Sequence, residues 1–406
     1  MKNSCFKLYL FVLVSFLFFN SNYLLANEQP TISLLTCDSG NELYSTFGHS
    51  ALRVYYPELG KDLVFNFGLF DFNTPHFYTK FIRGKLQYML GIQYMEDFME
   101  QFKWEGRGVK EQILNLTEDQ SKELIDRLSF LYLPQNRYYY YSFLHKNCTS
   151  ELRDIIFPLV DNAPEKYKKE CAGITYRELL NSHIDGWTKF GINLLLGSSL
   201  DKIINKYESM FLPENLYAGT ALLKNGDVPL VNEDIYLYKS EQNKINRGFF
   251  DILISPLVVF ALIFILMVFV VIGKLGIKRK MIYTVYDNIF LGIVSFLGLV
   301  LVVIILITEH TELYANYNLL WCNPLFIMVF LSSLKGWKKI ERLLSAISLL
   351  CLAILQIIWA YNIQYAEPSF YFIVTTLVLS FIGRIIRPQL LFGLKNKSHF
   401  VASFEN

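Results

Sequence analysis

The stretch that most limits what this chain can fold into runs from Phe249 to Ile386, where most residues are apolar. It contains five apolar segments, at roughly 250–272, 288–307, 319–334, 343–361 and 369–386. A helix needs ~20 apolar residues to cross a bilayer, with ~17–25 usual. The sequence therefore predicts an all-α bundle of five transmembrane helices across 249–388, the third of them short and carrying Pro324. The connections set its orientation. Lys274, Lys278, Arg279 and Lys280 follow the first segment, Lys335, Lys338, Lys339 and Arg342 the third, and Arg384, Arg387, Lys395 and Lys397 the fifth. Thr308–Asn318 and Asn362–Pro368 contain no Lys or Arg. By the positive-inside rule the basic connections and a tail at 389–406 are cytoplasmic. The domain ahead of the first span then shares the periplasmic face of a bacterial inner membrane with the two connections that lack Lys and Arg. A formal net charge of +2 gives no case for nucleic acid as a partner.

Residues 1–26 read as a signal peptide: Lys2 and Lys7, an apolar core from Leu8 to Phe19, and Ala26 before a polar run. Leu24 is a poor residue three before that cleavage point, so an uncleaved anchor stays open. Residues 27–248 read as one α+β domain. Strands are predicted at Ile32–Leu35, Ala51–Tyr56, Asp62–Phe70, Gly106–Leu116 and Arg137–Phe143, with Pro57–Lys61 as a hairpin connection. Thr117 and Gln120 have capping-box spacing for a helix running to Pro134. Phe77–Tyr94 is rich in aromatics with Lys80, Arg83 and Lys85, suited to lining a groove or meeting a bilayer surface. Cys37, Cys148 and Cys171 would be exported, and an oxidising compartment permits a Cys37–Cys171 disulfide that leaves Cys148 free. No Cys/His spacing resembles a metal site, and no cofactor is expected.

The chemistry concentrates at Asn147-Cys148-Thr149, where an aromatic run gives way to helical spacing of Leu152, Ile155, Ile156 and Leu159. Asn147 is a good N-cap, which puts Cys148 in a first helical turn, where the dipole favours a thiolate. A lone cysteine is more often a buried structural residue, so a partner matters. His49 supplies one, opening the strand-like Ala51–Tyr56, and a histidine on a strand with a cysteine opening a helix are the halves of a papain-like thiol site. The histidine comes first, which is the order of circularly permuted, NlpC-like members of that fold. Asn66, a polar residue among aromatics on the next strand, is the candidate to orient His49. An alternating strand that faces solvent explains Asn66 equally well. His145 is the rival base, and backbone N–H groups at the start of the Cys148 helix are the expected oxyanion donors. Glu309, His310 and Asn318, at the outer end of the bundle, are candidates for substrate binding, although ordinary polar capping of a span fits them too.

The segments around Leu35-Thr36-Cys37, Phe47-Gly48-His49-Ser50-Ala51-Leu52-Arg53-Val54, Phe65-Asn66-Phe67-Gly68 and Asn147-Cys148-Thr149 resemble the periplasmic domain of the Lnb-type lipoprotein N-acyltransferases. Asn318–Trp321 with Asn323-Pro324-Leu325 resembles the start of that family's membrane domain. The resemblance implies His49 and Cys148 as the catalytic pair, a phospholipid acyl donor, and the N-terminal amine of a diacylated lipoprotein as acceptor. Arg53, inside one of these motifs, joins the substrate-binding candidates. Two other classes remain: a membrane-tethered cysteine peptidase or amidase acting on peptidoglycan, and a non-enzymatic envelope scaffold.

Overall fold

The computed structural model describes residues 29–160, 163–240, 248–272 and 277–401, with side chains at 29–160, 163–240, 248–269 and 284–386. The signal peptide expected at 1–26 lies outside the described residues, as does 402–406 of the expected tail.

The soluble domain is built on a seven-stranded antiparallel sheet. Its strands are β1 (Thr31–Cys37), β2 (His49–Tyr56), β3 (Lys61–Leu69), β4 (Gln87–Tyr94), β5 (Val109–Leu114), β6 (Tyr138–Tyr140) and β11 (Val231–Tyr238). Two small ribbons, β7 (Cys171–Thr175) with β8 (Ile203–Asn205) and β9 (Lys224–Asn225) with β10 (Val228–Pro229), stand apart from it. The order β11-β5-β1-β2-β3-β4-β6 puts β1 and β2 near the middle, and β1 is buried over almost its whole length. The β2–β3 hairpin forms as the sequence predicts, with Gly60 N–H closing onto Pro57 O. The predicted strand Arg137–Phe143 shrinks to Tyr138–Tyr140, because Ser142 pairs with Lys146 to turn the chain toward the cysteine helix.

Period-two alternation divides the sheet between two layers. Leu34, Leu52, Val54, Phe65 and Phe67 face helices α3 (Glu118–Tyr132) and α4 (Cys148–Ile156). Leu35, Ala51, Val64 and Val109 face Phe98 and Phe102 of α2 (Met95–Trp104), a helix the sequence reading did not identify. The capping box expected at Thr117 and Gln120 starts α3. Burial of Leu152, Ile155 and Ile156 on one face of α4 contributes about 1.5–3 kcal/mol per side chain, which anchors that helix against β2 and β3.

The membrane part contains α6 (Pro256–Ile272), α7 (Ile277–Ile307), α8 (Phe326–Leu334), α9 (Lys338–Ala360) and α10 (Pro368–Val401). Among the described residues three helical stretches are long and apolar enough to cross a membrane: Thr284–Ile307, Lys338–Ala360 and Pro368–Ile386. Pro256–Phe269 is a shorter apolar helix. The third expected span is only partly helical. Asn316 Oδ1 accepts from Asn318 N–H, and Asn323 Oδ1 from Leu325 N–H, while Pro324 has no N–H to give. These local bonds hold 317–325 in turns, and regular helix begins only at Phe326. Such backbone is tolerated at membrane depth when protein surrounds it, and Trp321 and Cys322 are fully buried. At the basic end of the bundle Arg384 is buried against Asp287, Glu341 and Asn288, so its charge is neutralised inside the helices.

The two parts dock closely. Phe190 of α5 (Gly186–Leu195) packs on Phe260 and Phe370 of the bundle, each at 5.3 Å between ring centroids. Gly197 N–H donates to Glu312 O and Ser198 N–H to Ala315 O. A Cβ at Gly197 would collide with Tyr314 O, so only glycine allows the outer loop to lie so near. Buried Arg177 braces the receiving loop from below through Asp201, Asn193, Leu196 O and Gly197 O.

Candidate active site

α4 begins as its sequence requires. Asn147 Oδ1 accepts from the N–H groups of Thr149 and Ser150, and Ser150 Oγ accepts from Asn147 N–H. The remaining Asn147 amide donates to Phe143 O and Phe211 O, so the cap is locked on every side. This changes the expectation for the oxyanion donors. Thr149 and Ser150 N–H are already committed to the cap, and among the described residues no bond occupies the N–H of Cys148 itself.

His49 opens β2 and shares a sheet face with Asn66 on β3, as their common parity with Ala51 and Val64 dictates. His49 Nε2 lies 2.7 Å from Asn66 Oδ1, and Asn66 is buried. The amide oxygen accepts from Nε2–H, which leaves Nδ1 for the thiol. Phe102 of α2 stacks under the imidazole at 6.3 Å with planes 16° apart. Beyond Asn66 the β3–β4 register shifts, and Gly68, at φ +88°, turns its backbone against Cys148. A Cβ there would lie 3.7 Å from Cys148 Cβ, so the positive φ rather than lack of space demands glycine.

The electrostatics favour a thiolate–imidazolium pair. Burial pushes the Cys148 thiol up, but the His49 charge and hydrogen bond, together with the Ser50 N–H, outweigh it and bring the pKa down to about 7. Burial alone would lower the pKa of His49, and Arg107 adds to that; the thiolate and Asn66 overcome both, and the net shift is upward. Neighbouring Cys37 goes the other way: burial dominates and holds its thiol protonated, well above the ordinary range. Buried Cys37, paired with His49 across β1 and β2, and half-buried Cys148 are thus separated in reactivity by one histidine.

The family model for the Lnb N-terminal periplasmic domain matches residues 23–182, and that for the Lnb transmembrane domain matches 247–388. The chain belongs to the Lnb family. Comparison with curated proteins and with solved structures returns no match. Family membership points to a membrane-embedded enzyme that modifies lipoproteins, with a periplasmic part. The Lnb periplasmic match stops at 182, whereas β11, from Val231 to Tyr238, still completes the sheet.

The remaining sequence candidates of this Lnb-family chain lie apart from the thiol. Arg53 is spent inside the sheet, with its guanidinium bridging Asp62 at 2.7 Å and buried Glu111 at 2.8 Å. Asn318 is fully buried, donating to Asn193 O and Leu194 O and accepting from Trp321 Nε1. Glu309 pairs with Lys85 at 2.8 Å, and His310 Nε2 meets Phe81 O at 3.1 Å. These three stitch the soluble domain to the bundle. His145 is exposed, its ring edge-on to Tyr176. Cys37 and Cys171 are both free, the first buried and the second exposed, so the disulfide the sequence permits is not formed.

Sequence reasoning missed Ser50, Phe102, Tyr139 and Tyr141. Ser50 Oγ accepts from Thr149 Oγ1, which ties β2 to α4 beside the thiol. Its place next to His49 was the available signal. Burial, and to a lesser degree the Cys148 charge, raise the Tyr139 and Tyr141 hydroxyl pKa values well above the ordinary range, so both stay protonated around the site. As part of the predicted strand Arg137–Phe143, the run Tyr138–Tyr141 gave no hint of this.

Proposed function

We propose that this protein transfers a fatty acyl chain from a phospholipid to the N-terminal amine of diacylated lipoproteins, through a thioester on Cys148. The observation that carries the reading is the Cys148–His49–Asn66 set, half-buried at the thiol and imidazole and closed off at the amide, on a domain whose backbone is bonded to the outer loop of a membrane bundle. The arrangement is papain-like in roles, with the order of a circular permutation. The Cys148 thiolate attacks the ester carbonyl, and the Cys148 N–H meets the developing oxyanion. The tetrahedral adduct collapses, the ester C–O bond breaks, and the His49 imidazolium protonates the departing lysophospholipid. The free α-amino group then attacks the thioester. His49 takes its proton, the C–S bond breaks, and the thiolate is restored. Five membrane crossings, with both loops that lack Lys and Arg in the periplasm, keep donor and acceptor at one bilayer surface.

The test is a mass measurement on the full chain in phospholipid nanodiscs. Without acceptor, Cys148 should gain a fatty acyl mass that hydroxylamine removes. A diacylated lipopeptide with a free N-terminus should discharge it, and the same peptide acetylated should not. Continued N-acylation of lipoproteins by Cys148→Ala would overturn the mechanism, and a peptidoglycan amidase would carry no fatty acyl adduct.

A further inference from the structure

The segment between β3 and β4 joins the thiol to the membrane. It leaves the site at Gly68, against Cys148, and runs through Phe70 and Phe72 into the short helix α1 (Phe77–Ile82). There it is bonded to the first residues beyond the apolar span Thr284–Ile307. Thr308 Oγ1 donates to Ile82 O at 2.7 Å, and Glu309 N–H to Arg83 O at 3.1 Å. α1 is therefore held where the hydrocarbon of that span ends. Its apolar side chains are uncovered: Phe72 is 61% exposed, Tyr78 76% and Phe81 50%. A soluble domain has little reason to show such a patch to water. Lys80 and Arg83 on the same segment suit the phosphate layer of a bilayer.

The rings also form a continuous series. Phe81 faces Phe77 at 6.5 Å, Phe77 faces Phe70 at 5.8 Å, Phe70 faces Tyr88 at 5.2 Å, and Tyr88 stacks on Tyr141 at 4.3 Å. Tyr141, at the end of the series, stands on the run that leads into the Cys148 helix, and Phe70 follows Gly68, whose backbone rests against Cys148. We propose that the Phe70–Ile82 segment lies in the outer surface of the bilayer, and that its ring series is the track along which a phospholipid acyl chain reaches Cys148. This rests on the acyl-transfer reading for its destination, although contact of the segment with lipid does not. Aromatic side chains fit both halves of the task, since their flat faces accept an alkyl chain and their amphipathic members settle at a membrane interface.

The experiment uses the full chain in phospholipid nanodiscs, with a photoreactive amino acid at Phe72, Tyr78 or Phe81. The control position is Tyr236, 53% exposed on β11 at the far edge of the sheet. The first three should crosslink to phospholipid and the control should not. Crosslinking no stronger than the control would overturn the membrane placement. For the track, Cys148 acylation by long-chain phospholipid is compared with acylation by a short water-soluble acyl thioester. Phe77→Ser should lower the ratio of the two rates by about tenfold, the factor that goes with roughly one buried aromatic contact. Phe81→Ser, at the exposed outer end of the series, where it leaves no cavity in the fold, should lower it in the same direction. An unchanged ratio in both variants would overturn the track. If the wild type formed no acyl-enzyme, the acyl-transfer reading would fail, while the crosslinks would still decide the membrane placement.

Discussion

His49 Nε2 and Asn66 Oδ1 are 2.7 Å apart, on neighbouring strands whose register is set well away from the thiol. The imidazole is therefore held in one tautomer by the sheet, and only its Nδ1 is free to exchange a proton with Cys148. An amide accepts this bond without adding a charge, so the imidazolium of His49 answers chiefly to the thiolate. The reactivity of Cys148 then depends on a pair that ionises together.

Thiol alkylation in the wild type should rise with pH through about 7, because the thiolate is the reacting form. His49→Ala removes the largest of the effects that lower the pKa and leaves burial opposed only by the Ser50 N–H and the Thr149 hydroxyl, so the inflection should move up toward or beyond ~8.5. Iodoacetamide rates across pH 5 to 10 read this directly. A variant inflecting near the wild-type value would show that His49 does not ionise the thiol.

Asn66→Ala should act more gently. It takes away the acceptor that holds the ring and contributes to the raised His49 pKa. Turnover should fall by roughly 10–100-fold with the protein still folded, the size expected when a group acts by orienting a catalytic base. Asn66→Gln, which keeps an amide of different length, should recover part of the loss. Equal loss in both variants, with an unchanged alkylation profile, would assign Asn66 to packing alone.

Arg53 separates stability from chemistry. Its loss leaves Glu111 buried at 1% exposure without its guanidinium, and removing one member of a buried pair costs about 3–5 kcal/mol. Arg53→Met should lower the thermal midpoint, while the alkylation inflection of Cys148 stays put. A shifted inflection with an unchanged midpoint would return Arg53 to the site.

The parts of this molecule that sequence could reveal are those decided within a few residues. The Asn147 cap, the Thr117–Gln120 box and the β2–β3 hairpin are local devices, and each formed where its residues called for it. His49 and Cys148 were legible because a strand start and a helix start are also local. Elements decided at long range were not. Glu309, His310 and Asn318 look like substrate ligands as isolated polar residues near a span, but the structure uses them to join two domains. The third apolar segment reads as a span by hydropathy. Asparagine side chains nearby in sequence and a proline break it, while Gln364 Oε1, on a distant loop, takes Tyr317 N–H.

Orientation can be tested apart from chemistry. Tyr317 N–H donates to Gln364 Oε1, so the two loops that lack Lys and Arg meet on the face that carries the soluble domain, and Arg384 lies among the helices at the opposite end. A reporter active only in the periplasm should work when inserted within Thr308–Asn318 and fail after Lys339. The reverse pattern would overturn the placement of the site.

The joint between the domains makes the last prediction. At Gly197 a side chain would enter the space of Tyr314 O, a backbone atom that cannot move without the whole outer loop. The same loop reaches the thiol side through Glu312, which accepts from Ser142 Oγ at 3.2 Å. Gly197→Val should therefore lift the soluble domain from the bundle while leaving β2, β3 and α4 assembled, because none of them packs on Gly197. Alkylation of Cys148 by iodoacetamide should stay within about twofold of wild type, as for sites that do not share contacts. Acylation from phospholipid should fall much further, since a thiol site displaced from the bilayer surface no longer meets its donor. Alkylation and acylation falling together would mean the joint supports the site itself; neither falling would mean that docking has no part in catalysis.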